Sequence, residues 1–400
     1  MSAASLSLVT NVCRERSTCR VCEGSSLERV LDLGTHYLAG FVRERSDRLP
    51  KAPLDLVVCS DCGLVQLRHT VTPDLLWREY WYRSGINQTM RDALQDVVKD
   101  GLTYHERGTW LDIGANDGTL LSLVPAGFLK VGFEPAKNLL PWLTEHANLV
   151  VGDYFHTVDD LRGACQVITS CAMFYDLDDP NAIVADIVAS LADNGVWINQ
   201  LSHTPDMLAA NAFDNICFEH VCYYDIEALH ALYRRHGLFI TSVKLNDLNG
   251  GSIRVAATKK RTDACSLGGV PRTRRDDLSA FAGRVVRWKA LMERLLTSDL
   301  VARGDIWLYG ASTKASTFLQ YLDLPGLFIA AAERNPAKHG LVTAGTWIPI
   351  RSEEEFREAA PAFALVGPWA FAREVTEREK DLRAHGTAFI FPLPDPRFVL

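Results

Sequence analysis

Short apolar stretches alternate with helix-like patterns through the middle of the chain. These stretches have the length and composition of buried strands, and they cover residues 110–114, 130–134, 148–152, 166–171, 195–200 and 237–245. Apolar positions at helical spacing lie between most of them, for example at 180–191 and 225–236. This alternation predicts an α/β fold, in which parallel strands are joined by helices that cover both faces of the sheet.

Different patterns flank this central region. A charged helical pattern at 272–300 is followed by a second series of apolar stretches, which predicts another α/β unit. This series covers residues 305–322, 326–333, 362–367 and 387–392. The first 82 residues contain short apolar runs and few helix signals, as expected for a small separate module. The sequence therefore predicts three domains, at 1–82, 83–300 and 301–400.

The composition is that of an ordinary soluble globular protein, with 48% hydrophobic and 23% charged residues in a total of 400. A formal net charge of −7 provides no overall basic field, which argues against nucleic acid as the main partner. No apolar run approaches the roughly 18–20 residues of a membrane span, and the N-terminus lacks the pattern of a secretory signal. We therefore expect a cytoplasmic protein without membrane contact, as a monomer or a weak homo-oligomer.

Four of the ten cysteines form two pairs with the same spacing, Cys19 with Cys22 and Cys59 with Cys62. Each CxxC turn directs two thiolates at one ion, and two such turns complete a tetrahedral shell of four sulfur atoms. This arrangement predicts a zinc site. Because four thiolates leave no open coordination position, we expect the zinc to be structural.

The stretch LDIGANDGTLL, at 111–121, predicts a tight turn between the first central strand and a helix. Asp112 ends the strand, and the turn through Gly114, Asn116 and Gly118 brings backbone N–H groups to the edge of the sheet where ligands of such folds bind. The turn has neither the lysine of a P-loop nor the GxGxxG spacing of a dinucleotide fingerprint. Asp112 within it favours a cationic amino-acid ligand over a pyrophosphate.

Acidic residues also follow the next two strands. Glu134 closes the second strand, where a carboxylate accepts hydrogen bonds from ribose hydroxyls. Asp153 follows the third strand and is placed to contact an adenine amino group, with Tyr154 and Phe155 packing on the ring. Three acids after three successive strands favour S-adenosylmethionine over NAD, although any one of them alone is more often a strand end or a helix cap.

Several segments, in this order along the chain, resemble those of one enzyme family. They are the two CxxC pairs, PLDLVVCSDCGLVQL (53–67), YWYRSGINQTM (80–90), LDIGANDGTLL, FYDLDDP (174–180), FEHVCYYD (218–225), NGGSIR (249–254), YGASTKAST (309–317) and ERNPAKHGLVTAGTWIPI (333–350). Together they look like the sugar C-methyltransferases, and in particular the TDP-deoxysugar 3-C-methyltransferases. The resemblance covers residues 17–395.

The resemblance implies a zinc-binding N-terminal domain, a central Rossmann-type domain that binds S-adenosylmethionine, and a C-terminal Rossmann-like domain. It also implies that a nucleotide-linked sugar lies between the domains. The leading prediction is therefore a C-methyltransferase acting on a nucleotide-linked keto-deoxysugar, in antibiotic or surface-polysaccharide sugar biosynthesis.

Methyl transfer to carbon requires a nucleophilic carbon, which forms when a base removes the proton next to a sugar ketone. Glu219 and His220 match positions that belong to the active site of the resembled enzymes. The unperturbed pKa of histidine suits proton abstraction near neutrality. We therefore expect His220, oriented by Glu219, to be the base, with Tyr82, Tyr223 and Tyr224 as lesser candidates.

Three further residues are candidates for substrate contact. Lys314 stands at a predicted helix start after a strand, where it can meet a nucleotide phosphate. Arg254 follows a glycine turn and is the weaker candidate. Asp176 and Ala172 stand where the resembled enzymes carry histidine and asparagine, so the substrate contacts of this loop must differ.

A second departure concerns Cys217 and Phe218, which replace a tyrosine and a histidine of the resembled enzymes. These changes predict another sugar, another regiochemistry or O-methylation. An O-methyltransferase on the same scaffold is therefore the second prediction, and a non-catalytic nucleotide-sugar binding protein is the third. The intact acids Asp112, Glu134 and Asp153 argue against the third.

Overall fold

The computed structural model describes residues 12–38, 40–261, 265–298 and 304–400. The strands are β1 (Cys13–Glu15), β2 (Leu27–Tyr37), β3 (Phe41–Val42), β4 (Lys51–Cys59), β5 (Val65–Leu67), β6 (His69–Val71), β7 (Gly108–Ile113), β8 (Phe128–Phe133), β9 (Leu149–Val151), β10 (Cys165–Cys171), β11 (Leu191–Ser202), β12 (Cys222–Tyr223), β13 (Phe239–Asn246), β14 (Ser252–Thr258), β15 (Ile306–Tyr309), β16 (Ala331–Glu333), β17 (Val342–Thr343), β18 (Ile350–Ser352), β19 (Phe363–Val366), β20 (Ala388–Phe391) and β21 (Arg397–Val399). The α-helices are α1 (Asp74–Trp77), α2 (Gln88–Leu102), α3 (Thr119–Leu123), α4 (Leu140–Thr144), α5 (Pro180–Ser190), α6 (Thr204–Ala209), α7 (Ile226–Arg235), α8 (Arg275–Leu296), α9 (Thr313–Leu322), α10 (Glu353–Ala359), α11 (Ala372–Arg378) and α12 (Lys380–Ala384).

The N-terminal module is built on an antiparallel sheet with the strand order β12-β5-β4-β2. One CxxC turn precedes β2, and the other follows the end of β4 at Cys59. The outer strand β12 comes from the central part of the chain, where Cys222 pairs with Gln66 of β5. The module is therefore completed by a strand that sequence proximity does not assign to it.

The central sheet has seven strands in the order β13-β14-β11-β10-β7-β8-β9. β7 to β11 are parallel to one another, and β14 runs antiparallel between β11 and β13. The sheet is buried between helices, with Leu111, Ile168 and Trp197 fully inaccessible to solvent. After β7 the chain continues to β8 on one side of that strand, and it later returns to β10 on the other side of β7. A crevice therefore opens at the carboxyl ends of β7 and β10.

The strand β14 is missing from the sequence prediction, which treats 249–254 as a turn. Asn249, Gly250 and Gly251 have positive φ and form that turn, and the strand begins directly after it at Ser252. The prediction of a wholly parallel sheet is wrong at this edge, because the tight turn reverses the chain into an antiparallel hairpin with β13.

The C-terminal sheet has the order β18-β16-β15-β19-β20-β21, with five parallel strands and β21 antiparallel at the edge. This is the Rossmann order, with its own crevice between β15 and β19. The predicted fold class, an α/β protein with a small N-terminal cysteine module and two Rossmann-type units, is confirmed.

Contacts between the three parts close them around a common cleft. β17 of the C-terminal unit pairs with β3 of the N-terminal module, and the indole N–H of Trp288 in α8 donates to the carbonyl of Pro392 at 2.6 Å. Arg20, fully buried in the first CxxC turn, donates to Asp178 in the central unit at 3.2 Å. In the part of the chain that the structure describes, no helix is both long and apolar enough to cross a membrane.

Candidate active site

A cleft of about 840 Å³ lies at the carboxyl ends of both Rossmann-type sheets, between the three parts of the chain. Its walls include residues that follow β7, β8 and β10 on one side and residues that follow β15 and β19 on the other. The segment 73–87, which connects the N-terminal module to the central unit, contributes a further wall. Of the predicted site residues, the cleft is lined by Tyr82, Asp112, Gly114, Asn116, Glu134, Tyr154, Phe155, Asp176, Glu219, His220 and Lys314.

The glycine turn after β7 has the tight backbone path that the sequence predicts. Gly114 has a φ of +70°, and a Cβ atom there would lie 3.0 Å from the side chain of Met173. Gly118 has a φ of +77° and stands at the N-cap of α3, behind the cleft wall. The backbone of Asn116 is also in the left-handed region. Its side chain accepts a hydrogen bond from the N–H of Ser84 and donates one to the carbonyl of Tyr82. The turn is thus fastened to the segment 73–87.

Two buried carboxyl groups stand beside this turn. The oxygens of Glu134 accept hydrogen bonds from the backbone N–H groups of Asn116 and Ala136, each at 2.8 Å. Asp112 accepts from the hydroxyl of Thr169 at 2.7 Å. Burial raises the pKa of Asp112 to about 7, and the charge of Glu134 adds to the rise. Burial also raises the pKa of Glu134.

The environment of Asp112 and Glu134 fits S-adenosylmethionine. A carboxyl group whose ionisation is suppressed by burial gains most from a cationic ligand, and the ammonium group of the cofactor would be such a cation for Asp112. Each oxygen of Glu134 keeps a second lone pair for a ribose hydroxyl. A side chain at Gly114 would narrow the space between this turn and Met173.

The third predicted acid lies elsewhere. Asp153 is half exposed, does not line the cleft, and pairs with Arg78 at 3.1 Å. The backbone N–H of Tyr154 lowers the pKa of Asp153, and the hydrogen bond from Arg78 lowers it further. Tyr154 and Phe155 do line the cleft, and the Tyr154 hydroxyl donates to Asp74 at 3.0 Å. The structure therefore brings the two aromatic residues to the site but leaves Asp153 at the surface with its own partner.

The segment that carries Glu219 and His220 lines the same cleft as Asp112 and Glu134. The structure does not pair these two side chains as predicted. Instead, Nδ1 of His220 lies 2.9 Å from the carbonyl of Asn215. Burial lowers the pKa of His220 to about 3, and the charge of Lys314 contributes. The neutral ring then donates through Nδ1, which leaves Nε2 as the unprotonated nitrogen.

Glu219 has the properties of the better base. Its side chain is 7% exposed and lines the cleft. Burial raises its pKa to about 7. A general base is most effective when its pKa lies near the working pH, so the carboxylate of Glu219 suits proton abstraction and the strongly depressed imidazole of His220 does not.

Besides Asp153, the predicted residues Tyr223, Tyr224 and Arg254 do not line the cleft. Tyr224 is fully buried and packs against Phe174, with ring centroids 5.4 Å apart. Arg254, on β14, is buried, and its guanidinium donates to Asp96 at 3.0 Å and to Asp100 at 2.7 Å. Arg254 does not contact the substrate as expected, because its guanidinium donors are occupied by Asp96 and Asp100 of helix α2.

Lys314 occupies the first turn of α9, whose N-cap is the side chain of Ser312. The helix N-terminus and the lysine both present positive charge to the cleft. The charge of Lys314 also acts on Asp214, a buried carboxyl group that accepts from the Trp369 indole at 2.7 Å. This side of the cleft can therefore hold an anionic group.

Several residues in or next to the cleft cannot be recognised from the sequence. Tyr80, Asp117 and Asp214 have no local pattern that marks them as functional. Asp117 is buried and accepts from the N–H of Gly85 at 3.0 Å, which ties the segment 73–87 to the cofactor turn. Tyr80 lines the cleft close enough to Glu219 and Asp176 for their charges to raise its pKa, in addition to burial.

The predicted metal ligands come together in the N-terminal module. The sulfur atoms of Cys19, Cys22, Cys59 and Cys62 all lie within 4.8 Å of one another, and two of the pairs are at 3.5 and 3.6 Å. Zn–S bonds of about 2.3 Å in a tetrahedron place the sulfur atoms about 3.8 Å apart. The cluster therefore fits a structural zinc ion, which would cross-link the two CxxC turns.

Comparison with known proteins agrees with this domain composition. Residues 19–77 match a zinc binding domain family, residues 82–243 a methyltransferase domain family, and residues 247–394 the family of C-methyltransferase C-terminal domains. The chain is 28% identical to the C-methyltransferase NovU of Streptomyces niveus, over 97% of this chain and 98% of that protein.

Solved structures of methyltransferases are similar to part of the chain. An S-adenosylmethionine dependent methyltransferase from Listeria monocytogenes is 13% identical, with a TM-score of 0.36, over 43% of this chain and 98% of that one. A Burkholderia thailandensis 1,6-didemethyltoxoflavin-N1-methyltransferase is 11% identical, with a TM-score of 0.35, over 43% of this chain and 78% of that one.

Proposed function

We propose that this chain, an S-adenosylmethionine-dependent methyltransferase with the three domains of the C-methyltransferases, methylates a carbon atom of a nucleotide-linked keto-deoxysugar. One observation carries the proposal. The buried carboxyl group of Glu219 faces the same cleft as the cofactor acids Asp112 and Glu134, and its pKa of about 7 suits a general base.

The base is needed because a sugar carbon is not nucleophilic by itself. Removing the proton next to a ketone leaves an enolate, whose carbon can attack an electrophilic methyl group. S-adenosylmethionine supplies that methyl group when bound. We assign proton removal to Glu219 and give neutral His220 a place as a hydrogen-bonding contact for the sugar.

The anionic part of the substrate fits the C-terminal wall of the cleft. Lys314 and the N-terminus of α9 offer positive charge, which suits the diphosphate of a nucleotide sugar. Trp369 and Phe371 line the same wall and offer aromatic surface for a base. In this proposal the sugar lies between the two Rossmann-type units, and the reaction belongs to antibiotic or surface-polysaccharide sugar biosynthesis.

The proposal is tested by comparing matched substrates. The purified protein is incubated with S-adenosylmethionine and either TDP-linked 4-keto-6-deoxyhexoses or the corresponding 4-hydroxy sugars, and S-adenosylhomocysteine is measured. We expect product with the keto sugars only. Product with the hydroxy sugars instead would support O-methylation, and no product with either, despite tight cofactor binding, would support a non-catalytic role.

A further inference from the structure

The loop after β10 meets the segment that carries Glu219 at the sugar end of the cleft. The backbone N–H of Val221 donates to the carbonyl of Tyr175 at 3.0 Å, and the rings of Tyr175 and His220 are 4.4 Å apart. These contacts bring the loop that carries Asp176 against the segment that carries Glu219, and both residues line the cleft. The site thus contains a second carboxyl group next to the proposed base.

Each of these carboxyl groups has a buried oxygen with no hydrogen-bond partner among the described residues. These atoms are Oδ1 of Asp176 and Oε2 of Glu219. Burying an unpaired polar atom costs on the order of 1–3 kcal/mol, so each such atom in a native protein calls for a specific explanation, for example a catalytic role. Both residues line the cleft, so a bound substrate can reach their carboxyl groups.

The two carboxyl groups are not expected to ionise together. Burial raises the pKa of Asp176 well above its usual value, and the charge of Glu219 raises it further. The same pair of acids acts on the phenol of Tyr80, whose pKa is raised so that it stays neutral.

The other titratable groups near Asp176 and Glu219 do not change which of these two carboxyl groups loses its proton first. The pKa values of Tyr175 and Cys217 are raised by burial, and His220 is neutral. The cation Lys314 acts on Asp214 and His220. Of the two carboxyl groups, Asp176 therefore holds its proton more strongly, and Glu219 ionises first.

We propose that Asp176 is a second catalytic residue, whose protonated carboxyl group donates a hydrogen bond to the ketone oxygen while Glu219 takes the proton from the adjacent carbon. This inference rests on the proposed function. The C–H bond breaks, its proton forms an O–H bond on Glu219, and its electron pair passes into the enolate, whose oxygen carries the charge. The hydrogen bond from Asp176 strengthens as that charge develops.

The first test needs no substrate. The infrared spectrum of the wild-type protein is compared with that of Asp176→Asn at pH 7, in the region of the protonated carboxyl C=O stretch. We expect the variant to lose the absorption of one protonated carboxyl group. If no such absorption is lost, Asp176 is ionised and the proposal is wrong, whatever the substrate.

The second test follows solvent deuterium exchange next to the ketone of a TDP-linked 4-keto-6-deoxyhexose, without methyl donor. Asp176→Leu removes the hydrogen-bond donor and should slow exchange by about 10²–10³-fold, as loss of an oxyanion donor does. Asp176→Asn keeps a donor and should retain exchange within about tenfold of the wild type. It should also keep exchanging at high pH, where ionisation of Asp176 slows the wild type.

Affinity for S-adenosylhomocysteine shows whether the variants remain folded. Equal loss in the Asn and Leu variants would show that Asp176 acts through its charge, which contradicts the proposal. Absence of exchange in the wild-type protein would contradict the proposed function itself, so the two failures are distinguishable.

Discussion

The backbone N–H of Asn116 donates a 2.8 Å hydrogen bond to Oε2 of Glu134. This bond joins the glycine turn after β7 to the end of β8, across the carboxyl edge of the central sheet. It fixes the orientation of the carboxylate and leaves its remaining lone pairs for a ligand. The two parts of the cofactor site therefore hold each other in place before any ligand binds.

Replacement of Glu134 tests this arrangement. Glu134→Gln should weaken binding of S-adenosylhomocysteine about 10–100-fold, because hydrogen bonds to a charged group contribute about 1.5–3 kcal/mol. Isothermal titration calorimetry measures the dissociation constant. Asp159→Asn, at a carboxylate that is 98% exposed, is the matched control and should bind as the wild type does. Equal affinity in the two variants would remove Glu134 from the cofactor site.

The raised pKa of Asp112 predicts a pH dependence of cofactor binding. A cationic amine binds the ionised carboxylate, and the free protein must release a proton below the pKa of about 7. The affinity for S-adenosylhomocysteine should therefore fall about tenfold per pH unit below pH 7 and level off above it. Titrations at pH 5.5, 6.5 and 8 should show this trend in the wild type and a much flatter one in Asp112→Asn. A flat wild-type profile would show that Asp112 does not meet the ammonium group.

Zinc removal should act on the fold of the N-terminal module. The variant Cys62→Ser should lose the metal, measured by mass spectrometry, and hydrogen exchange should accelerate over residues 12–72. Cys13→Ser, outside the cluster, is the control and should keep one zinc ion per chain. If a chelator stopped methyl transfer while exchange over this module stayed slow, the zinc would have a catalytic role and our assignment would be wrong.

Three arginines contact the carboxylate of Asp178, and two of them allow a buried ion pair to be compared with an exposed one. Arg20 and Arg14 both donate to Asp178, but the side chain of Arg20 is fully buried, whereas that of Arg14 is 66% exposed. Arg20→Met should lower the free energy of unfolding by about 1.5–3 kcal/mol, because it removes a buried hydrogen bond to a carboxylate that keeps Arg14 and Arg16 as partners. Arg14→Met should cost about 1 kcal/mol or less. Urea titration followed by tryptophan fluorescence compares the two, and equal costs would contradict a buried link between the zinc module and the central unit.

Local patterns predict those parts of the site that neighbours in sequence create. The glycine turn, Asp112 and Glu134 follow from the ends of two strands, and the zinc ligands follow from the spacing of four cysteines. The role of Arg254 could not be judged in this way, because its partners Asp96 and Asp100 lie on a helix more than 150 positions earlier in the chain.

The same limit applies to the catalytic segment. Histidine has a suitable pKa in water, and the sequence therefore favours His220 as the base. In the folded chain, burial and Lys314 make its ring a very weak base, while burial makes Glu219 a stronger one. Only the packing of distant segments decides between them.

Carbon NMR of the product formed with a carbon-13 methyl donor and a TDP-linked 4-keto-6-deoxyhexose tests the central claim most directly. We predict a labelled methyl group bonded to a ring carbon next to the ketone, identified by its coupling to the ring. A labelled methyl group on oxygen would contradict the account.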